Sequence, residues 1–136
     1  MIIDTGPLVA WLNRRESHHA WARATLDAIE PPVYTCEAVI AEASFLLRNL
    51  HGGRDALLEL LARDLIKVEF QLRTELDAIR VLMRQYARVP IALADACLIR
   101  MSELDRDAAV LTLDGDFRVY RRNRRHVIPT IMPNGN

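Results

Sequence analysis

Short apolar, β-branched runs alternate along this chain with longer stretches of helical periodicity, and that alternation leaves few folds open. Met1-Ile2-Ile3, Val33-Tyr34-Thr35, Leu65 to Glu69, Ala108 to Leu113 and Val127 to Ile131 read as strands. Their apolar runs are continuous, as expected of strands covered on both faces. A helical stretch separates each strand from the next, which implies parallel pairing through right-handed crossovers. The expected fold class is α/β, a three-layer α/β/α sandwich around a central, mostly parallel sheet.

The helices follow from spacing and from their stop signals. The first is expected after Pro7, reaching about Asn13. Ser17 is placed to cap a second over His18 to about Ile29, with Trp21, Ala24 and Ala28 on one face. Pro31-Pro32 stops it. A third runs from about Glu37 to Leu50, ended by Gly52-Gly53, and a short one covers Ala56 to Ala62. Leu72 to Arg88 is the longest amphipathic stretch, and Pro90 opens a helix extending to about Glu103. A short helix is expected from Asp116 to about Arg122. At 136 residues the chain suits one domain over residues 1–132, with a frayed tail at 133–136.

Lysine plus arginine and aspartate plus glutamate number 18 each, so net charge announces no polyanion as partner. The distribution is less even. Lys67 is the only lysine, and Arg118, Arg121, Arg122, Arg124 and Arg125 follow one another with no acid among them. Cys36 and Cys97 are too few and too far apart for a disulfide scaffold or a zinc site, and they suit a reducing cytoplasm. No run approaches the roughly 20 apolar residues of a membrane span. The expectation is a soluble, cytoplasmic protein.

Several acids stand where an apolar side chain belongs. Asp4 ends the first strand, at the sheet edge where α/β folds bind ligands; it is either a turn-forming residue or a ligand. Glu42 falls inside the stripe Ala38, Val39, Phe45 and Leu46, and Asp95 inside the stripe Ile91, Ala94, Leu98, Ile99 and Ser102. A carboxylate on a core-facing stripe requires an arginine or a metal. Asp114 leaves the carboxyl end of the fourth strand, on the edge of Asp4. Asp116 has two candidate roles, ligand and helix cap. Acids from four segments on one sheet edge are economically explained by a metal site, and an all-oxygen donor set selects Mg²⁺ or Mn²⁺.

Ile3-Asp4-Thr5, Glu42 on the helix after the second strand, Leu93-Ala94-Asp95-Ala96, and Thr112-x-Asp114-x-Asp116-Phe117 together resemble the PIN-domain ribonucleases. Within them the chain is most similar to the VapC-type toxins of bacterial toxin–antitoxin pairs. The resemblance implies that Asp4, Glu42, Asp95 and Asp114 are catalytic and hold the metal. Asp116 would be an additional ligand and Thr5 a supporting hydroxyl that orients the first acid or a metal-bound water. It further implies an RNA substrate cut to leave a 5′-phosphate and a 3′-hydroxyl, an antitoxin partner and a homodimer.

An acidic pocket repels RNA, so neighbouring cations must offset it. Arg118, Arg121, Arg122, Arg124 and Arg125 are the candidates. The same run is equally open to being a solvated face or an antitoxin-docking surface. A PIN fold that acts mainly as a protein-binding module is the rival reading, and metal-dependent RNA cleavage separates the two.

Overall fold

A computed structural model describes residues 1–134. Five strands form one wholly parallel sheet: Ile2–Ile3 (β1), Val33–Thr35 (β2), Ile66–Val68 (β3), Val110–Leu111 (β4) and, last in the chain, Thr130–Ile131 (β7). The spatial order is β3-β2-β1-β4-β7, so the first strand of the chain lies in the middle of the sheet. Its register pairs Ile2 with both Tyr34 and Val110. Successive residues of a strand point to opposite faces, and Ile2, Ile3, Val110 and Leu111 are all buried. Both faces of the central strands are therefore covered, as the three-layer expectation requires.

Six α-helices supply the cover: Thr5–Leu12 (α1), His19–Asp27 (α2), Glu37–Leu46 (α3), Gly53–Ala62 (α4), Leu76–Gln85 (α5) and Leu93–Leu104 (α6). α1 packs on α2, α3 and α4, while α5 packs on α6. α6 is buried round most of its circumference, from Ala94 through Ser102. A 3₁₀ turn, Gly115–Arg118, follows β4 and leads into a small antiparallel hairpin of Arg121–Arg122 (β5) and His126–Val127 (β6).

Several local expectations are corrected. The second helix starts after His18 with no side-chain cap, and Ser17 lies in the preceding turn. Its position is set instead by His19, whose Nδ1 donates to the Ala10 carbonyl at 2.7 Å. Its buried residues are Ala22 and Leu26, whereas Ala24 and Ala28 are exposed. On α3 the buried stripe is Val39, Ala43 and Leu47; Phe45 and Leu46 are 61% and 49% exposed. α3 stops at Leu46, and Gly53 opens α4 behind Gly52, whose φ of +70° is a left-handed conformation that glycine adopts freely.

α5 is shorter than its amphipathic stretch at both ends, and α6 begins at Leu93, after Pro90. The outer strands were also expected to be longer, and the segment 116–122 is a 3₁₀ turn and a hairpin strand, not one helix. Two consecutive left-handed residues, Asn123 (φ 51°) and Arg124 (φ 67°), turn the hairpin. Of the tail expected at 133–136, Pro133 and Asn134 belong to no helix or strand, and the last two residues lie outside those described.

Candidate active site

Parallel strands present all their carboxyl ends on one edge, and the acids gather there. Asp4 follows β1 and caps α1: its Oδ1 accepts from the Thr5 N–H at 2.7 Å. Its Oδ2 accepts from the Thr112 hydroxyl at 2.7 Å. Thr112 in turn accepts from the Asp114 N–H at 2.9 Å, and Asp114 accepts from the Asp116 N–H at 2.9 Å. One connected chain of hydrogen bonds thus ties the ends of β1 and β4. Burial raises the Asp4 pKa above its ordinary value, the bonds from Thr112 and Thr5 oppose that, and the charge of Asp114 adds to it.

Asp95 sits in the first turn of α6, where its Oδ2 accepts from the Ala92 N–H at 3.3 Å and lies 3.5 Å from the Tyr120 hydroxyl. Burial pushes its pKa up to about 6; the Ala92 N–H opposes the shift, and Asp4, Asp114 and Glu42 reinforce it. Glu42 is exposed on α3, beside Ala43 of the buried stripe and not within it. Its pKa is raised by partial burial and then by Asp4. Asp4, Glu42, Asp95 and Asp114 therefore share one electrostatic field.

Asp114 caps the 3₁₀ turn, the role expected of Asp116. Asp116 is exposed on that turn, its carboxylate free of the capping role. An arginine partner for these acids is not found among the described residues. Among the described residues, ion pairs join Arg23 to Asp27, Arg63 to Glu59, and Arg100 to Glu75 and Glu103, and none reaches the four acids.

Among the described residues no three acids, cysteines or histidines converge at coordination distance. Charge coupling reaches several ångströms beyond that distance, so the acids sense one another without touching a common point. Two observations nonetheless fit a hard cation. Like charges are held together with no counter-charge, and the Thr5 hydroxyl beside Asp4 is buried without any hydrogen-bond partner. An orphaned hydroxyl next to an oxygen-rich acid set is a donor group that a divalent ion would satisfy.

A family model, "PIN domain", matches residues 1–123. The chain belongs to the PIN-domain family. This PIN domain is 29% identical over 118 residues to Ribonuclease VapC26 of Mycobacterium tuberculosis (strain ATCC 25618 / H37Rv), across 84% of this chain and 86% of that protein. Its fold is similar to the crystal structure of Mycobacterium tuberculosis VapC20, titled a Sarcin-Ricin loop cleaving toxin. There the TM-score is 0.75 at 23% identity, covering 94% of this chain and 98% of the other.

The arginines of this PIN domain divide into two groups. Arg121 turns Nη1 back onto the carbonyls of Arg118, Val119 and Tyr120 at 2.7, 2.9 and 3.1 Å, and Arg122 donates to the Ser102 carbonyl at 3.1 Å. These two brace the hairpin and tie it to α6. Arg118, Arg124 and Arg125 are exposed, and among the described residues their guanidinium groups have no hydrogen-bond or ion-pair partner.

Three residues gain roles that sequence reasoning did not assign. Thr112 is fully buried and bonds both Asp4 and Asp114; its place two residues before Asp114 was the available signal. Tyr120 is buried edge-to-face against Tyr86 and Phe117, each at 5.2 Å, with its hydroxyl toward Asp95. Tyr86 accepts from the Arg121 N–H at 2.9 Å. Helical spacing put Tyr86 on an apolar face, but no local pattern showed that its ring meets Tyr120 or that Tyr120 turns its hydroxyl toward Asp95, because those partners come from other segments.

Proposed function

We propose that this PIN-domain protein is a metal-dependent endoribonuclease, hydrolysing RNA phosphodiester bonds as the toxin of a toxin–antitoxin pair. The observation that carries the reading is the uncompensated acid set at the carboxyl edge of the sheet, with Asp4 fixed by two short hydrogen bonds and the Thr5 hydroxyl unpartnered beside it. Asp4, Glu42, Asp95 and Asp114 would hold the ion, with Asp116 at the rim and Thr5 in support. Mg²⁺ or Mn²⁺ suits all-oxygen donors. Bound there, such an ion would supply an acidified water and a positive charge against the scissile phosphate.

The chain's own residues do the positioning. Thr112 fixes the carboxylate of Asp4, the first turn of α6 presents Asp95, and Asp114 is held by its cap on the 3₁₀ turn. Arg118, Arg124 and Arg125 offer solvated guanidiniums to the RNA backbone, while Arg121 and Arg122 keep the hairpin in place. The substrate class follows the relatives: one is named a ribonuclease, and the other is titled as cleaving the sarcin–ricin loop. Products with a 5′-phosphate and a 3′-hydroxyl go with metal-assisted attack by water.

The unit that carries this activity is one domain, residues 1–132. An antitoxin partner and a second copy of the chain belong to the same reading. Phe45 and Leu46, exposed on α3, favour a protein neighbour. Two buried free cysteines accord with a reducing cytoplasm, and among the described residues no helix is long and apolar enough to cross a membrane.

The test is RNA cleavage by the purified chain in Mg²⁺ or Mn²⁺, beside Asp4→Asn. Metal-dependent cleavage that the variant loses supports the reading. Cleavage by neither protein, with intact binding to a protein partner, favours a protein-binding module instead.

A further inference from the structure

A second charged feature adjoins the acids. α5 carries Arg80 and Arg84 on its solvent side, with Asp77 one turn earlier, and Arg88 follows in the turn after the helix; all four are exposed. Facing α5 is the turn of the β5–β6 hairpin. Between them lies an open cleft of about 550 Å³ lined by Val81, Arg84, Gln85 and Arg124. It adjoins a further hollow of about 390 Å³ where Arg100 is already neutralised by Glu75 and Glu103. The charge left for a ligand is at the Arg84–Arg124 end.

Arg124 is held there in a conformation that arginine rarely adopts. Its φ of 67° follows an Asn123 at 51°; asparagine visits this region readily and arginine does not. The turn is anchored from outside, the Asn123 N–H donating to Glu103 Oε2 at 2.6 Å and Arg122 donating to the Ser102 carbonyl at 3.1 Å. Backbone strain maintained by neighbouring structure is a feature of functional positions. Glycine would relieve it, and only the side chain of Arg124 is then lost.

The cleft also lies close to the acids. Tyr86 follows Gln85, accepts from the Arg121 N–H, and packs edge-to-face on Tyr120, whose hydroxyl faces Asp95. Two aromatic rings separate the basic cleft from the carboxylates. A polyanion crossing both is an extended one.

We propose that the cleft between α5 and the hairpin turn is a second phosphate-binding site, where Arg84 and Arg124 grip the RNA backbone away from the scissile bond. The proposal rests on the nuclease reading above. Flexible guanidiniums on an open cleft contact phosphates and not base edges, so the grip is independent of sequence and favours long substrates over short ones.

The test compares wild type with Arg84→Ser/Arg124→Gly, titrating labelled long single-stranded RNA and a trinucleotide in chelator at several salt concentrations. Each lost phosphate contact reduces the salt slope by about 0.7, so the double variant should be shallower by roughly 1.4 and bind long RNA roughly 25-fold more weakly at 0.1 M salt. Trinucleotide affinity should change less. Arg84→Lys/Arg124→Lys should keep the slope, and Arg124→Gly should leave the melting temperature equal or higher, which excludes a folding defect.

An unchanged slope overturns the proposal. Equal losses for both RNAs also overturn it, by moving these arginines to the scissile phosphate. An unchanged slope with lost affinity for an acidic protein partner assigns the cleft to protein. Failure of wild type to cleave RNA in Mg²⁺ or Mn²⁺ overturns the nuclease reading separately, because the titrations in chelator need no cleavage.

Discussion

Replacing Asp95 by asparagine should stabilise the metal-free protein. The Asp95 carboxyl has a pKa of about 6 against an ordinary 3.8, with burial as the largest cause and three neighbouring acids adding to it. At about 1.4 kcal/mol per unit, charging it in the fold costs up to ~3 kcal/mol. The group is half-buried, so solvent screening reduces this to roughly 1–2 kcal/mol. The folded chain holds the proton more tightly than the unfolded chain. The stability this proton contributes is therefore complete below pH 3.8 and lost as pH rises through about 6.

Asparagine keeps an oxygen to accept from the Ala92 N–H and never charges. In chelator at neutral pH, Asp95→Asn should melt above wild type by roughly 3–8 °C. The difference should shrink toward zero on acidification below pH 3.8. Thermal melts of both proteins across this pH range provide the measurement. A variant that melts at or below wild type at neutral pH would refute the reasoning, and so would an advantage that does not vary with pH.

Two further outcomes follow from the same site. Divalent metal should raise the wild-type melting temperature, by about 2.7 kcal/mol of added stability at a hundredfold excess over Kd, and much less in Asp95→Asn; equal shifts in the two proteins would place the ion elsewhere. Thr112→Val conserves shape but removes the hydroxyl that donates to Asp4 and accepts from Asp114. It should lose roughly 2–4 kcal/mol in urea unfolding and most of the cleavage rate, whereas a loss below ~0.5 kcal/mol would show the buried carboxylate needs no donor there.

Asp4 and Asp114 stand at strand ends as their place behind apolar runs implies, whereas Glu42 lies beside the buried stripe of α3 and not in it; the strands were legible because buried parallel strands are continuously apolar. What failed was local. Val39 is core as its place on the stripe implies, but Phe45 and Leu46 are exposed, and the second half of the buried stripe is Ala43 and the C-cap Leu47, a choice that tertiary packing makes between neighbouring apolar positions. The segment after Asp116 has helical spacing, yet Arg121 and Arg122 use their side chains on main-chain carbonyls, and two left-handed residues make a hairpin. Ser17 had the chemistry of a cap, but the bond from His19 to Ala10 sets where α2 begins. Tyr86 and Tyr120 meet each other across 34 residues, and Tyr120 meets Asp95 across 25, which no short window of sequence displays.

The bond between Thr112 and Asp4 spans 108 residues. β1 precedes both of its neighbours in the sheet, and one of them, β4, is made only after α6. Until then Asp4 lacks its hydroxyl donor, Asp114 does not exist, and the carboxylates have no common edge on which to meet. A chain that stops short of Thr112 therefore lacks both the donor to Asp4 and the carboxylate of Asp114.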